Sequence, residues 1–154
     1  MRTIVMPFLV ALVALPLAAA DRPAPGTAKG TLTWEGKTIT LANAATFVDQ
    51  TDDRKPVILL LTDQKVPVEK WKSEFDLIGY RPTTKPRFQG IGFWFDRDRQ
   101  DFRTQLYVGD DPTAVSGYFH VKLDPGTGFS GVVSSDPGDK KKGVVLDATF
   151  TAAK

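Results

Sequence analysis

Ile91-Gly92-Phe93-Trp94-Phe95 and, beyond Asp96 to Asp101, Phe102-Arg103-Thr104-Gln105-Leu106-Tyr107-Val108 are the two segments whose reading decides the fold. In each, apolar and other residues alternate with period two, which sends successive side chains to opposite faces of a strand. Taking Asp98-Arg99 as the turn of a hairpin sets Phe95 opposite Phe102 and Ile91 opposite Leu106, all on one face. Arg103 then falls across from Trp94 on the other face.

The same pattern extends in both directions. Thr31-Leu32-Thr33-Trp34-Glu35 and Lys37 to Leu41 flank Gly36. With Gly36-Lys37 as the turn, Trp34 is predicted opposite Ile39 and Leu32 opposite Leu41. The second strand runs on to Phe47 and Val48 and ends in the acidic turn Asp49 to Asp53. Val57-Ile58-Leu59-Leu60-Leu61 is continuously apolar and therefore predicts a strand covered on both faces. Pro67 suits a first helical turn, and Val68, Trp71, Phe75 and Ile78 fall near one stripe, so a short helix is expected over residues 67–78 with Gly79 as its stop. Phe119, Val121 and Leu123, the turn around Asp124-Pro125-Gly126, then Phe129, Gly131 and Val133 form a further hairpin. Val144, Leu146, Ala148 and Phe150 close the chain. The fold class is all-β: about eight antiparallel strands in a meander, forming a sandwich or a barrel, with one α-helix. Bulky interior candidates (Trp34, Phe93, Phe95, Phe102, Phe119, Phe129 and Phe150) tilt the choice toward a sandwich.

The chain has 154 residues, 42% hydrophobic and 25% charged, with no cysteine and a formal charge of +2. That composition is of ordinary globular type and excludes collagen-like, disulfide-framework and polytopic membrane architectures. Arg2, the apolar run Ile4 to Leu17 and Ala18-Ala19-Ala20 read as a signal peptide over residues 1–20, cleaved near Ala20-Asp21, against the alternative of an uncleaved membrane anchor. The absence of a cysteine thiol rules out a lipoprotein. Residues 21–29 read as a linker, and residues 30–154 as a single β-rich domain that does not span the membrane, placed in the periplasm or outside the cell. Removing Arg2 leaves charge nearly balanced, and the one basic run, Lys140-Lys141-Lys142, reads as a solvated turn. Nucleic acid is therefore not an expected partner.

Catalytic and metal signatures are sparse. His120 is the single histidine, too few for a histidine-based zinc site without cysteines, and no Gly-x-Ser-x-Gly elbow accompanies it. Asp96-Arg97-Asp98-Arg99-Gln100-Asp101 begins with carboxylates at alternate positions, as calcium loops do, yet Arg97 and Arg99 neutralise them and the turning glycine is missing. No cofactor is expected. Gly90-Ile91-Gly92 sits inside a strand and reads as close backbone packing rather than a phosphate loop. The candidate surface is the second face of the middle hairpins, where Trp94, Arg103, Tyr107, Tyr118 and His120 fall on one side. Such a row suits a sugar ring or a partner protein; the competing reading is that the helix carrying Trp71 covers it.

Gly30 to Lys37, Val57 to Asp63 and the terminal Leu146-Asp147-Ala148-Thr149-Phe150-Thr151-Ala152 together resemble a loose family of small exported bacterial proteins of unknown function. The resemblance implies export and a β-rich fold, and carries no catalytic residue with it. The leading expectation is a non-enzymatic exported domain that binds an envelope component or a protein partner. The alternatives are a β-barrel carrier of a small apolar ligand, which predicts an internal pocket lined by phenylalanine and tryptophan, and a hydrolase whose carboxylates (Asp96, Asp98 or Asp147) converge in the fold.

Overall fold

The computed structural model describes residues 23–96, 102–115, 119–125, 128–136 and 143–153. The expected signal peptide, the Asp98-Arg99 turn, the calcium-like run beyond Asp96, Tyr118 and the lysine run lie outside the described residues. The described residues form nine strands: β1 (Thr27–Trp34), β2 (Lys37–Val48), β3 (Val57–Thr62), β4 (Gly90–Phe95), β5 (Phe102–Tyr107), β6 (Thr113–Val115), β7 (Phe119–Leu123), β8 (Ser130–Ser135) and β9 (Val144–Thr151). They form one sheet in the order β6-β5-β4-β3-β2-β1-β9-β8-β7, with every ladder antiparallel.

The sheet curls into a half-barrel. Its two edge strands, β6 and β7, are separated by residues 116–118 alone, which can reach no farther than roughly 15 Å, so the edges must approach each other. Across the hollow, Phe93 of β4 meets Phe119 of β7 edge-on at 6.0 Å, and Phe95 meets Phe129 at 5.5 Å. The preference for a sandwich is thus corrected: there is one sheet, and large side chains fill the inside of a curled sheet as readily as the gap between two.

The alternation of the middle hairpin appears as predicted, with Phe95 opposite Phe102, Ile91 opposite Leu106 and Trp94 opposite Arg103. The first hairpin is shifted by two residues: Leu32 pairs with Ile39 and Trp34 with Lys37. Glu35 and Gly36 form its turn, at φ 47° and 79°, the doubly positive geometry of a tight hairpin. A shift of two leaves every side chain on its original face, so Leu32, Ile39 and Leu41 still enter the core. β1 begins at Thr27, inside the segment read as a linker, because β9 supplies partners for Thr27, Ala28 and Lys29. β6 is a ninth strand, too short for its alternation to show in the sequence.

Ile58, Leu59, Leu60 and Leu61 are all at 0% exposure. Leu59 and Leu61 face the hollow, while Ile58 and Leu60 join Phe47, Trp94 and Tyr107 on the outer face. Residues 63–89, which link β3 to its neighbour β4, lie over that outer face and contribute Val66, Val68, Trp71, Leu77 and Phe88. Within this cover, a 3-10 turn (Val68–Lys70) is followed by α1 (Glu74–Tyr80) and a second 3-10 turn (Arg81–Thr83). The predicted continuous helix over 67–78 is broken, because Trp71 and Ser73 are extended. Gly79 lies within α1 rather than stopping it. Rings run in sequence beneath and through the cover: Phe47 on Trp71 at 5.4 Å, Trp71 on Tyr80 at 5.2 Å, and Phe88 on Tyr107 at 5.4 Å.

Asp49 fastens the cover to the sheet. Its carboxylate accepts hydrogen bonds from the Thr51 N–H at 2.9 Å and hydroxyl at 2.6 Å on one oxygen, and from the Glu74 N–H at 2.9 Å on the other. Burial opposes its ionisation, but the Thr51 hydroxyl and the Glu74 and Thr51 amides outweigh burial and hold its carboxyl below the ordinary 3.8. Ser73 and Asp76 close the same helix end as a capping box.

Two outcomes are expected. Gly92 lies under the Trp94 ring, where an added Cβ would sit 2.8 Å from Cζ3, so Gly92→Ala lowers stability by about 1–3 kcal/mol in chemical denaturation. Asp49→Asn costs about 2 kcal/mol at neutral pH. A carboxyl with a lowered folded pKa stabilises above its unfolded value and loses that contribution as the pH falls through the folded one. The gap between wild type and Asp49→Asn should therefore be constant near neutrality and close below pH 3.8; a gap independent of pH would refute the charge's role.

Candidate binding face

The cover buries two members of the predicted aromatic row. Trp94 and Tyr107 are 4% and 1% exposed, packed in the cluster that holds Trp71 and Leu77. Arg103 remains outside, its guanidinium 4.8 Å above the Trp94 ring and paired with the Glu74 carboxylate. It ties β5 to the first residue of α1 and roofs the indole. The Tyr107 hydroxyl lies 3.3 Å from Gln105 Oε1. Burial foremost, with the Glu74 charge behind it, pushes that hydroxyl well above its ordinary pKa, so it stays protonated. His120 stands exposed on β7, at the opposite end of the ladder order from β5 and β6, with Nε2 3.1 Å from Asp136. The structure therefore brings Trp94, Arg103 and Tyr107 together as a packed unit rather than as an open row.

What faces solvent is the far side of α1. A helix of seven residues resting on Leu77 cannot bury its whole circumference. Phe75, two residues away and about 200° round the helix, is 76% exposed, and Ile78 is 51% exposed. Both were expected on a buried stripe with Val68 and Trp71. The extended residues between the 3-10 turn and α1 reset the helical phase and turn them outward.

Beside Ile78 a cleft of about 390 Å³ opens between α1 and the loop that follows β5. Leu77, Ile78, Pro82 and Pro112 give it apolar walls, and Arg81 and Arg87 give it two guanidinium groups. Arg81 is 3% exposed and donates to the carbonyls of Gly109 at 2.6 Å and Asp110 at 2.7 Å. Its guanidinium also lies 5.8 Å from the Phe88 ring centre and 5.6 Å from that of Tyr107, while its buried Nε has no hydrogen-bond partner. Burial first, then the neighbouring Arg87 charge, lowers its pKa from 12.5, and so the site contains a cation held mainly by dipoles and rings. Arg87 pairs with the side chain of Asp110, which is 89% exposed.

Among the described residues, no three histidine, cysteine, aspartate or glutamate side chains converge in a way that could hold a metal ion. Of the carboxylates named for hydrolysis, Asp147 is exposed on β9, Asp96 follows β4, and Asp98 lies outside the described residues. A second groove, also of about 390 Å³, lies between Val48, Val57, Val68 and Phe129 on the rim of the sheet. No described helix is long and apolar enough to cross a membrane. Comparison with known proteins adds no assignment: no family model, no curated protein and no solved structure matches the chain.

Arg103 is a testable joint of this face. Arg103→Ala should lower stability by about 1 kcal/mol and raise the accessibility of tryptophan to acrylamide quenching, with Arg103→Lys intermediate. Unchanged quenching would show that the guanidinium does not roof Trp94.

Proposed function

We propose that this chain is an exported domain that works by binding a protein partner, and that the outer side of α1 is the face it uses. The observation that carries this reading is Phe75, a phenylalanine 76% exposed with Ile78 beside it, on a domain that otherwise buries its phenylalanines wherever their side chains are described. An aromatic anchor next to an aliphatic one, with the Glu74–Arg103 pair at the start of the helix and Arg87 and Asp110 in the cleft that Ile78 lines, has the make-up of a protein contact: an apolar centre with charges of both signs nearby. A lipid-facing helix would favour a rim of positive charge alone. The packing of Phe93, Phe95, Phe119 and Phe129 against one another inside the curl speaks against the barrel-carrier alternative, and among the described residues Asp96 follows β4 and Asp147 lies on β9, with no geometry that favours hydrolysis.

Site-specific photo-crosslinking in the cells that make the protein tests the reading. A photoreactive phenylalanine analogue at position 75 should give light-dependent adducts of one or a few discrete masses, and the same analogue at exposed Thr31 on β1 should not. Equal labelling at both positions, or none at position 75, overturns the assignment of this face. Adducts to lipid or glycan would replace the protein partner by an envelope component.

A further inference from the structure

The cleft adjoining Ile78 carries an unspent capacity that points to a ligand. Arg81 has five N–H groups, of which two are accounted for by carbonyls of Gly109 and Asp110. No carboxylate among the described residues lies within 4.0 Å of it. The Asp110 and Asp111 charges act on it from a distance, and an arginine that is 3% exposed with no carboxylate hydrogen-bonded to it is costly unless something else in the site repays its lost hydration. Arg87 lines the same cleft, and its ionic partner among the described residues, Asp110, is 89% exposed. Such an exposed pair is worth about 0–1 kcal/mol and exchanges readily for a better-placed anion.

The remaining lining decides which anion. Leu77, Ile78, Pro82 and Pro112 form apolar walls, so the charged group should be attached to something aliphatic. Asp110 and Asp111 stand on the rim; they would repel a dianion and tolerate a monoanion. The forked guanidinium geometry matches a carboxylate bidentately.

We propose that this cleft binds a carboxylate borne on an aliphatic group, with Arg87 and Arg81 holding the carboxylate and Ile78 and Pro82 holding the aliphatic part. Two sources offer that chemistry: a free aliphatic acid, or the terminal carboxylate of a protein chain that ends in an aliphatic residue. The inference rests on the reading of α1 as a binding face, because Ile78 belongs to both.

The test is a titration of the purified protein with four probes, followed by calorimetry and by the arginine side-chain Nε–H signals in nitrogen-15 spectra. The probes are octanoate, octanol, an acetylated tripeptide ending in leucine, and the same tripeptide as its C-terminal amide. At least one of the two carboxylates should bind saturably and shift the arginine signals, while octanol and the amide do not. Binding of octanoate alone identifies a free acid as the source, and binding of the tripeptide acid identifies a chain terminus. Arg87→Gln should weaken the bound carboxylate about tenfold, as expected for losing a charge-assisted hydrogen bond. Ile78→Ser, at a position 51% exposed and so tolerant of change, should weaken it by a smaller factor without altering the melting temperature.

Failure of both carboxylates to bind, equal binding of octanol or the amide, or undiminished binding by Arg87→Gln would each overturn the proposal. Inorganic phosphate binding in place of the carboxylates would do the same. These failures are distinguishable from failure of the binding-face reading, since crosslinking through Phe75 needs no ligand in the cleft. Adducts without carboxylate binding leave the face and remove the ligand class.

Discussion

Two neighbouring strands, β3 and β4, are apolar on both of their faces, and the rest of the molecule is arranged to satisfy them. Ile58 to Leu61 and Ile91 to Phe95 leave no side that water can cover without loss. One face is hidden when the sheet curls and brings Phe119 and Phe129 onto Phe93 and Phe95. The other is hidden by residues 63–89. This explains an otherwise odd feature of the topology: β3 and β4 are adjacent and antiparallel, a pair that a tight turn could join, yet a long connection lies between them. The connection is the second layer.

The cover is held by few but well-placed contacts. Asp49, at the end of β2, receives the first amide of α1, and the Gln50 amide donates to the Lys72 carbonyl at 2.8 Å. At the other end Arg81 reaches the Gly109 and Asp110 carbonyls. The first joins the cover to the β2–β3 loop, and the second joins it to the loop after β5. Between these attachments α1 is too short to be buried all round, and the binding face follows from that shortness. Phe75 and Ile78 face outward because Leu77 faces inward, and the cleft exists because the Arg81 end of the cover and the loop after β5 meet without filling the space between them.

Several of these features were legible in the residues before any fold was known. The pairing of Phe95 with Phe102, and with it the placing of Arg103 across from Trp94, follows from alternation plus one turn, and the stacked pair comes directly from that register. The two-sided burial of β3 was legible because a continuous apolar run has no face left for solvent. Other features were hidden for identifiable reasons. The first hairpin can slide by two residues without moving a side chain to the other face, so its apolar pattern fits two registers, and the positive φ angles of Glu35 and Gly36 select one. Residues 67–78 carry the period of a continuous helix, but the extended residues Trp71 and Ser73 divide it. The Arg81 site joins residues 28 and 29 positions apart in the chain, and no local pattern announces such a contact.

The sequence by itself determined the class of this protein: antiparallel strands, their inward and outward faces, and a short helix lying between the third and fourth strands. Those properties depend on the period of apolar residues and on turn chemistry, both of which act over a few neighbouring positions. The tertiary structure decided between one curled sheet and two stacked ones, turned Trp94 and Tyr107 inward and Phe75 and Ile78 outward, and assembled the two arginines around a cleft. These depend on how the second face of the sheet is covered and on which distant loops meet, where burial of the whole surface sets the balance and the local pattern is silent.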